Sequence, residues 1–396
     1  MKAVHRRIAL LCLTLLLFGC SAPDQPKQQT GQSNAMTTLR VVTTYPDAEA
    51  MDAIIKAFQD LHPNIRVVRK QAGNGEKGVP ALKEAIEKGE ADVVDAGWAG
   101  MLMGTDLLLP LEPYVLQSAF RLDPFGQGLE VLRIDGRLYE LPTVVMAYPI
   151  SYNKAQFEAA QLPLPKSNWT WDEFQTAAAR LTKKAPEQPS PGFDSPMGFF
   201  LIQAWVSERA GRPYWSAEDQ AVRDGLAYFG SLLLADRSLG ASDGGAIVSA
   251  MTIAGFTGQT RRPGLNVAPL PTFPGTRSVL EVEPWTYGIA HNSPNASAAW
   301  EFLRFAAGEE GAVAVARAGQ LPMYNTPAVR AVFQEQKQPD LDSLYDSTWI
   351  FIPHRNRSIP FAILRMAGDD LLTGKKDAES AFAQYTKQMT QFRGQK

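Results

Sequence analysis

Cysteine is almost missing from this sequence: two residues in 396, Cys12 and Cys20, both within the first twenty positions. A body with no thiols to pair has no disulfide framework and must stand on its apolar core. Histidine is nearly as scarce. His5, His62, His291 and His354 are scattered, with no H-x-x-x-H spacing and no cysteine cluster beside them, so no metal site is expected. Basic excess is absent too. Lys and Arg number 39 against 41 Asp and Glu, a formal net charge of −2, and no basic run marks a nucleic-acid surface. Long apolar runs are also lacking. Ile8 to Phe18 is too short to span a bilayer, which needs about 20 residues, and nothing later is long and apolar enough. What is present is an ordinary globular composition, 45% hydrophobic. The length suggests two lobes.

The first twenty residues read as an export leader. Lys2, Arg6 and Arg7 precede the apolar run, and Leu17-Phe18-Gly19-Cys20 closes it. A small residue before cysteine resembles the lipobox of bacterial lipoproteins. That likeness implies a signal over residues 1–19, with Cys20 lipidated and becoming the mature N-terminus. Phe18 is bulkier than the residue this pattern usually carries. The alternative is a leader that stays attached as a membrane anchor. Residues 20–36 are polar and rich in Pro and Gln, and read as a flexible tether.

The body then alternates strand and helix. Leu39 to Tyr45 is short and β-branched; Met51, Ile54, Ile55 and Phe58 recur at helical spacing; Ile65 to Arg69 is a second strand. A helix over Pro80 to Lys88 and a strand over Ala91 to Ala96 follow. This order implies a parallel sheet covered by helices. Farther on, the stretch from Tyr139 is strand-rich and broken by Pro142 and Pro149. Thr170 and Glu173 have capping-box spacing ahead of the apolar stripe Phe174, Ala177, Ala178 and Leu181. Ala299, Trp300 and Leu303 mark the inner face of another helix, and Ala378, Phe382, Tyr385 and Met389 that of a last one.

Two enzyme-like motifs occur. Gly73, Gly75 and Gly78 spell G-x-G-x-x-G, the dinucleotide fingerprint. In that fingerprint the helix begins inside the glycine motif. Here Pro80 is tolerated only in the first helical turn, so all three glycines fall in the loop before the helix. No nucleotide cofactor is expected. Gly240-Ala241-Ser242-Asp243-Gly244 matches the nucleophile-elbow pattern G-x-S-x-G, which needs a buried strand directly before it. The preceding residues read instead as a helix end, and Ala246 as the start of another helix.

Several stretches, in order, resemble one family: "AFQDLHPNIRV", "ADVVDAGWAG", "DGRLYELPTVVMAYPISYNKAQF", "NWTWDEF", "SAMTIAG", "NVAPLPTFPGT" with "TYGIA", and "SAAWEFLRFAAGEEGAVAVARAGQLP". From about Leu39 to Met389 the chain resembles the extracellular solute-binding proteins of ABC importers, nearest the maltose- and multiple-sugar-binding subgroup. The likeness implies an α/β fold of two hinged lobes with a ligand cleft between them. Lobe 1 would hold 37–144 plus 284–321, and lobe 2 would hold 145–283 plus 322–396. It further implies a non-enzymatic, monomeric binder of sugar or oligosaccharide that delivers its ligand to permease subunits and is held at the membrane by lipid on Cys20. A ligand-loaded co-receptor for a membrane kinase would use the same fold. A secreted glycan-active lyase or hydrolase is a third reading.

The likeness also suggests contacts. Tyr45 and Asp47 follow the first strand, and Trp98 follows the third in the family's stacking position. Trp285 and Tyr287 are placed about the second crossing, and Phe199, Phe256 and Phe361 fall near contact positions. Relatives often carry a tryptophan one residue beyond Phe256, where Thr257 stands here. Met146 occupies a place where some sugar binders have a carboxylate. Arg355 and Arg357, if they face the cleft, suit an acidic or phosphorylated sugar.

Overall fold

Strand–helix alternation at the start of the chain is present, with ends displaced by a residue or two from those expected. β1 is Thr37–Thr43, β2 is Ile65–Gln71 and β3 is Val93–Asp95. Helices Glu49–Leu61 and Val79–Glu87 connect them. The structure is a computed structural model that describes residues 36–44, 49–96, 105–182, 193–194, 199–214, 217–234, 239–240, 247–249, 265–351 and 358–394.

β1 pairs in parallel with β2 on one edge and with β3 on the other. Such a sheet is covered on both faces, which is why Val41, Val42, Val93 and Val94 are all buried. β4 (Leu141–Ala147) and β10 (Val279–Ile289) complete most of the sheet. β10 runs antiparallel to β3 through Tyr287–Ile289 and to β4 through Val282–Tyr287. Pro142, expected to interrupt the strand, lies within β4. A register shift between Trp285 and Thr286 sits opposite it. A residue without an N–H fits a ladder where the ladder is already broken. Against this sheet pack Phe58, Phe302 and Phe305, whose rings meet edge-on at 5.2 and 5.4 Å.

A second sheet is built from shorter strands: β5 (Ile150–Asn153), β6 (Phe193–Asp194), β7 (Leu239–Gly240), β8 (Ile247–Ser249) and β9 (Leu265–Ala268). Its order is β7-β6-β8-β5-β9. Here helices supply the apolar mass. Trp171–Leu181, Phe199–Ala210, Asp219–Leu234, Ser358–Leu372 and Ala378–Arg393 all contribute side chains to the second core. The capping box is formed as expected. Glu173 N–H donates to Thr170 Oγ1 at 3.2 Å, and Thr170 N–H donates to Glu173 Oε2 at 2.7 Å. The residues after Ala246 form β8 rather than the expected helix.

The two cores divide the chain differently from the 321/322 boundary expected from the resemblance. Val329, Val332, Phe333, Leu341 and Leu344 belong to the first core. β11 (Thr348–Phe351) pairs in parallel with the first half of β10. Residues 322–351 thus pack with the first sheet, and the helices from Ser358 onward pack with the second core.

Candidate functional site

Two described crossings join the sheets. The first is short: β4 ends at Ala147 and β5 begins at Ile150, leaving only Tyr148 and Pro149 between. The second runs from β9 to β10 over 269–278 and is tied to the second core. Trp169 Nε1 donates to the Pro269 carbonyl at 2.9 Å, and Thr272 N–H donates to the Trp169 carbonyl at 2.9 Å. Glu208 accepts from Trp171 Nε1 at 3.0 Å, from Phe273 N–H at 2.7 Å, and from the hydroxyls of Thr272 and Thr276. A carboxylate accepting several donors holds a segment more firmly than any one bond would.

Tyr148 connects the two sides of the first crossing. Its ring stacks on Phe200 with centroids 3.6 Å apart and 16° between planes. Its hydroxyl donates to Glu283 Oε2 of β10 at 3.1 Å, and its N–H to the Glu281 carbonyl at 3.3 Å. Tyr148, Phe199 and Phe200 form a small buried cluster separate from both cores. The Arg365 guanidinium lies 5.0 Å from the centre of the Phe199 ring, within cation–π range.

Period-two geometry places Glu281, Glu283, Trp285 and Tyr287 on one face of β10. All four are buried, as is Glu140, which accepts from the Thr286 hydroxyl at 3.0 Å. At the C-terminal ends of β1 and β3, Thr44 donates its N–H to Asp95 Oδ2 at 3.1 Å, and its hydroxyl donates to the same oxygen. Burial, helped by the Asp95 carboxylate, pushes the Tyr287 hydroxyl well above the usual tyrosine range, so it stays a neutral donor. The arrangement is a polar, carboxylate-bearing strand face beside an aromatic cluster, at the point where the chain passes from one sheet to the other. Open α/β sheets bind ligands at the C-terminal ends of their strands.

Among the residues singled out from sequence, Phe199, Trp285 and Tyr287 are all buried, at 3%, 3% and 2% exposure. Trp285 and Tyr287 lie inside β10 beyond the second crossing, and pack with the first core. Met146 pairs across the ladder with Glu283, so a carboxylate stands directly beside the position where it was missed. Phe361 lies on the helix Ser358–Leu372. Tyr45, Asp47, Trp98, Phe256, Arg355, Arg357 and Cys20 lie outside the described residues. Tyr148, Phe200, Glu281 and Glu283 were not anticipated. Alternating acids inside the apolar run "VLEVEPW" were the signal for the last two.

The glycine motif has a structural explanation. Gly75–Gly78 form a 3-10 turn, and the helix begins at Val79. Gly73 has φ +118°, and a Cβ there would lie 2.8 Å from Gly78 Cα; a Cβ on Gly78 would meet Thr44 Cγ2 at 2.8 Å. The glycines allow a turn to fold against itself and against β1. For the G-x-S-x-G, a two-residue strand, β7, does precede Ser242, but at the edge of its sheet rather than in a buried centre. Away from the crossings, a cavity of about 520 Å³ opens between the 162–169 loop and the helix Trp171–Leu181.

Comparison with known proteins places the chain in a family. The bacterial extracellular solute-binding protein family matches residues 43–313, and the chain belongs to that family. An uncharacterised ABC transporter extracellular-binding protein of Pyrococcus horikoshii is 28% identical over 201 residues, 46% of this chain and 44% of its own length. The chain thus spans less than half the length of that curated relative. Solved structures align almost completely. A sugar transporter from Rhizobium etli in an open conformation superposes with TM-score 0.74 at 19% identity, covering 89% of this chain and 99% of its own. An ABC substrate-binding protein from Listeria monocytogenes in complex with cycloalternan gives 0.72 at 17%, covering 90% and 99%. The fold is the two-lobed α/β fold of periplasmic sugar-binding proteins.

Proposed function

We propose that this protein captures a sugar or oligosaccharide outside the cytoplasm by closing its lobes, and releases it unmodified to the permease of an ABC importer. The observation that carries this reading is the first crossing. A single residue, Tyr148, stacks on the second-lobe helix and hydrogen-bonds the first-lobe strand, so the relative position of the lobes and the state of the cleft are coupled. Ligand favours the closed form because only that form contacts it from both lobes. No bond chemistry is required, and no cofactor is assigned.

The core memberships support lobe limits near 37–147 plus 279–351 and 148–278 plus 358–394. Tyr45, Asp47, Trp98, Phe256, Phe361 and Arg357 are proposed to complete the cleft as aromatic platforms and polar rim, with Phe199, Trp285 and Tyr287 beneath them. Sugars suit such a lining: aromatic rings cover their C–H faces while carboxylates and hydroxyls take the rim. Lipid on Cys20 and the 20–36 tether would keep a monomer within reach of its permease. More than one acyl chain holds a protein durably at a membrane.

A thermal-shift screen of neutral and acidic mono- and oligosaccharides tests the reading. A true ligand at 100 times its Kd stabilises the protein by about 2.7 kcal/mol, a clear upward displacement of Tm. Absence of any shift across the screen would contradict a saccharide ligand. If Trp98→Ala leaves the affinity of the best hit unchanged, the placement of the aromatic platform is wrong.

A further inference from the structure

One buried polar side chain stands without a partner among apolar residues of the second core. Gln203 lies on the helix Phe199–Ala210 at 0% exposure, and neither its amide oxygen nor its amide nitrogen has a hydrogen-bond partner. Buried polar groups in native proteins are nearly all paired, so one unpaired at both ends needs a reason. Its neighbours Leu201, Ile202, Ala204, Trp205 and Val206 are all second-core apolar residues. An aliphatic residue would suit the site if packing were its only task. Trp205 and Trp300 also lack a partner, but each leaves a single indole donor. Gln203 leaves two donors and an acceptor.

Its position on the helix gives the direction. Gln203 follows Phe200 by three residues and Phe199 by four, so it lies on their face, one turn farther on. That face meets the first crossing, where Phe200 stacks on Tyr148. The helix also runs beside β10, with Cα atoms within 8 Å. Gln203 therefore lies between Phe200, which meets the first crossing, and Phe199, which packs on Gly368 of the helix Ser358–Leu372, on a helix that also runs beside the strand carrying Glu281 and Glu283.

We infer that Gln203 is a specificity-determining residue that reads a pair of ligand hydroxyls at the base of the cleft, reached when the Tyr148 and Phe200 rings part. This deepens the binding-protein reading and rests on it. Two neighbouring hydroxyls can accept from the amide nitrogen and donate to the amide oxygen at once. A carboxylate or phosphate satisfies only the donors, and an ammonium group only the acceptor. The residue therefore selects polyols and sugars over ions. A site built to hydrogen-bond a hydroxyl rejects analogues lacking it far more strongly than an apolar pocket does.

Gln203→Met in the full chain keeps the side-chain length and removes both polar ends. Two quantities are read: the Tm without ligand, and the calorimetric affinity for the tightest binder among maltose, D-tagatose and maltotriose. With no internal hydrogen bond to lose, the ligand-free Tm stays level or rises by about 2 °C or more, as a relieved functional site does. Affinity falls at least about tenfold. A lower Tm, whether or not affinity falls, overturns the inference, because the amide is then a paired structural group. A level or higher Tm with unchanged affinity overturns it too. If neither these three sugars nor any saccharide of the wider screen binds the wild type, the saccharide reading fails on its own. The Tm then decides alone: a rise supports an amide held for a ligand, and a fall overturns it.

Discussion

The two lobes reach stability by different routes. In the first, one long strand does most of the organising. β10 is an 11-residue strand buried along its whole length and paired with β3, β4 and β11. In the second, no described strand exceeds four residues, and Trp171, Phe174 and Phe229 pack helix against helix. Strand pairing over long sequence separations fixes one lobe, whereas apolar helix faces fix the other. The proposed cleft lies where these two kinds of order meet. There a strand bearing the buried carboxylates Glu281 and Glu283 lies beside a helix whose first turn supplies the buried rings of Phe199 and Phe200.

Breaking each core separately is the strongest way to challenge that contrast. Phe302→Ala in the first core and Phe229→Ala in the second each remove a fully packed ring and cost about 3–5 kcal/mol. If the lobes are separately organised, urea unfolding followed by lobe-specific proteolysis shows each variant weakening its own lobe first. Equal weakening of both lobes by either variant would erase the distinction.

Arg40→Leu sharpens it next. Arg40 Nε donates to Asp92 Oδ2 at 2.8 Å, its N–H donates to the same oxygen at 2.9 Å, and Ser293 Oγ donates to Asp92 Oδ1 at 2.7 Å. Burial acts to raise the Asp92 pKa, but these hydrogen bonds outweigh it and hold the carboxyl below its usual range. Removing the guanidinium leaves a buried charge and costs about 3 kcal/mol in the first lobe alone. The sign of the pH dependence follows. A depressed folded-state pKa adds stability above the unfolded-state value, near 3.9, and that contribution is lost as pH falls through the lower folded value. The gap between wild type and an Asp92→Asn variant in urea midpoint should therefore narrow below about pH 4.

Tyr148→Phe acts between the lobes. It keeps the stack on Phe200 and deletes only the hydroxyl that reaches Glu283. The bond is already made without ligand, so its loss lowers stability by about 1.5–3 kcal/mol, and calorimetric affinity falls to the extent that closure strengthens the bond. Unchanged affinity would remove Tyr148 from the closing mechanism. The smallest effect is Thr170→Ala, which removes half of a formed capping box and lowers second-lobe stability by about 1 kcal/mol in a denaturant titration, with binding untouched.

Local chemistry was legible in the sequence and distant pairing was not. The capping box at Thr170, the proline that pushed the helix start past Gly78, and the early strand–helix alternation all depend on neighbours a few residues apart. β11 could not be read this way. Its place beside β10 comes from pairing Thr348 with Val279, far away in sequence, and this carries residues 322–351 into the first core. At β8 the sequence suggests a helix, because a three-residue strand offers too little periodicity to separate the two. At the site, Tyr148 looked like any aromatic beside a proline. Only the fold brings it between Phe200 and Glu283.

Hinged closure about the crossings is tested most directly by small-angle X-ray scattering of the full chain with and without the tightest saccharide from the screen. The account predicts a smaller radius of gyration when the sugar is bound, and a weaker contraction in Tyr148→Phe. A saccharide that binds by calorimetry yet leaves the scattering profile unchanged would contradict it.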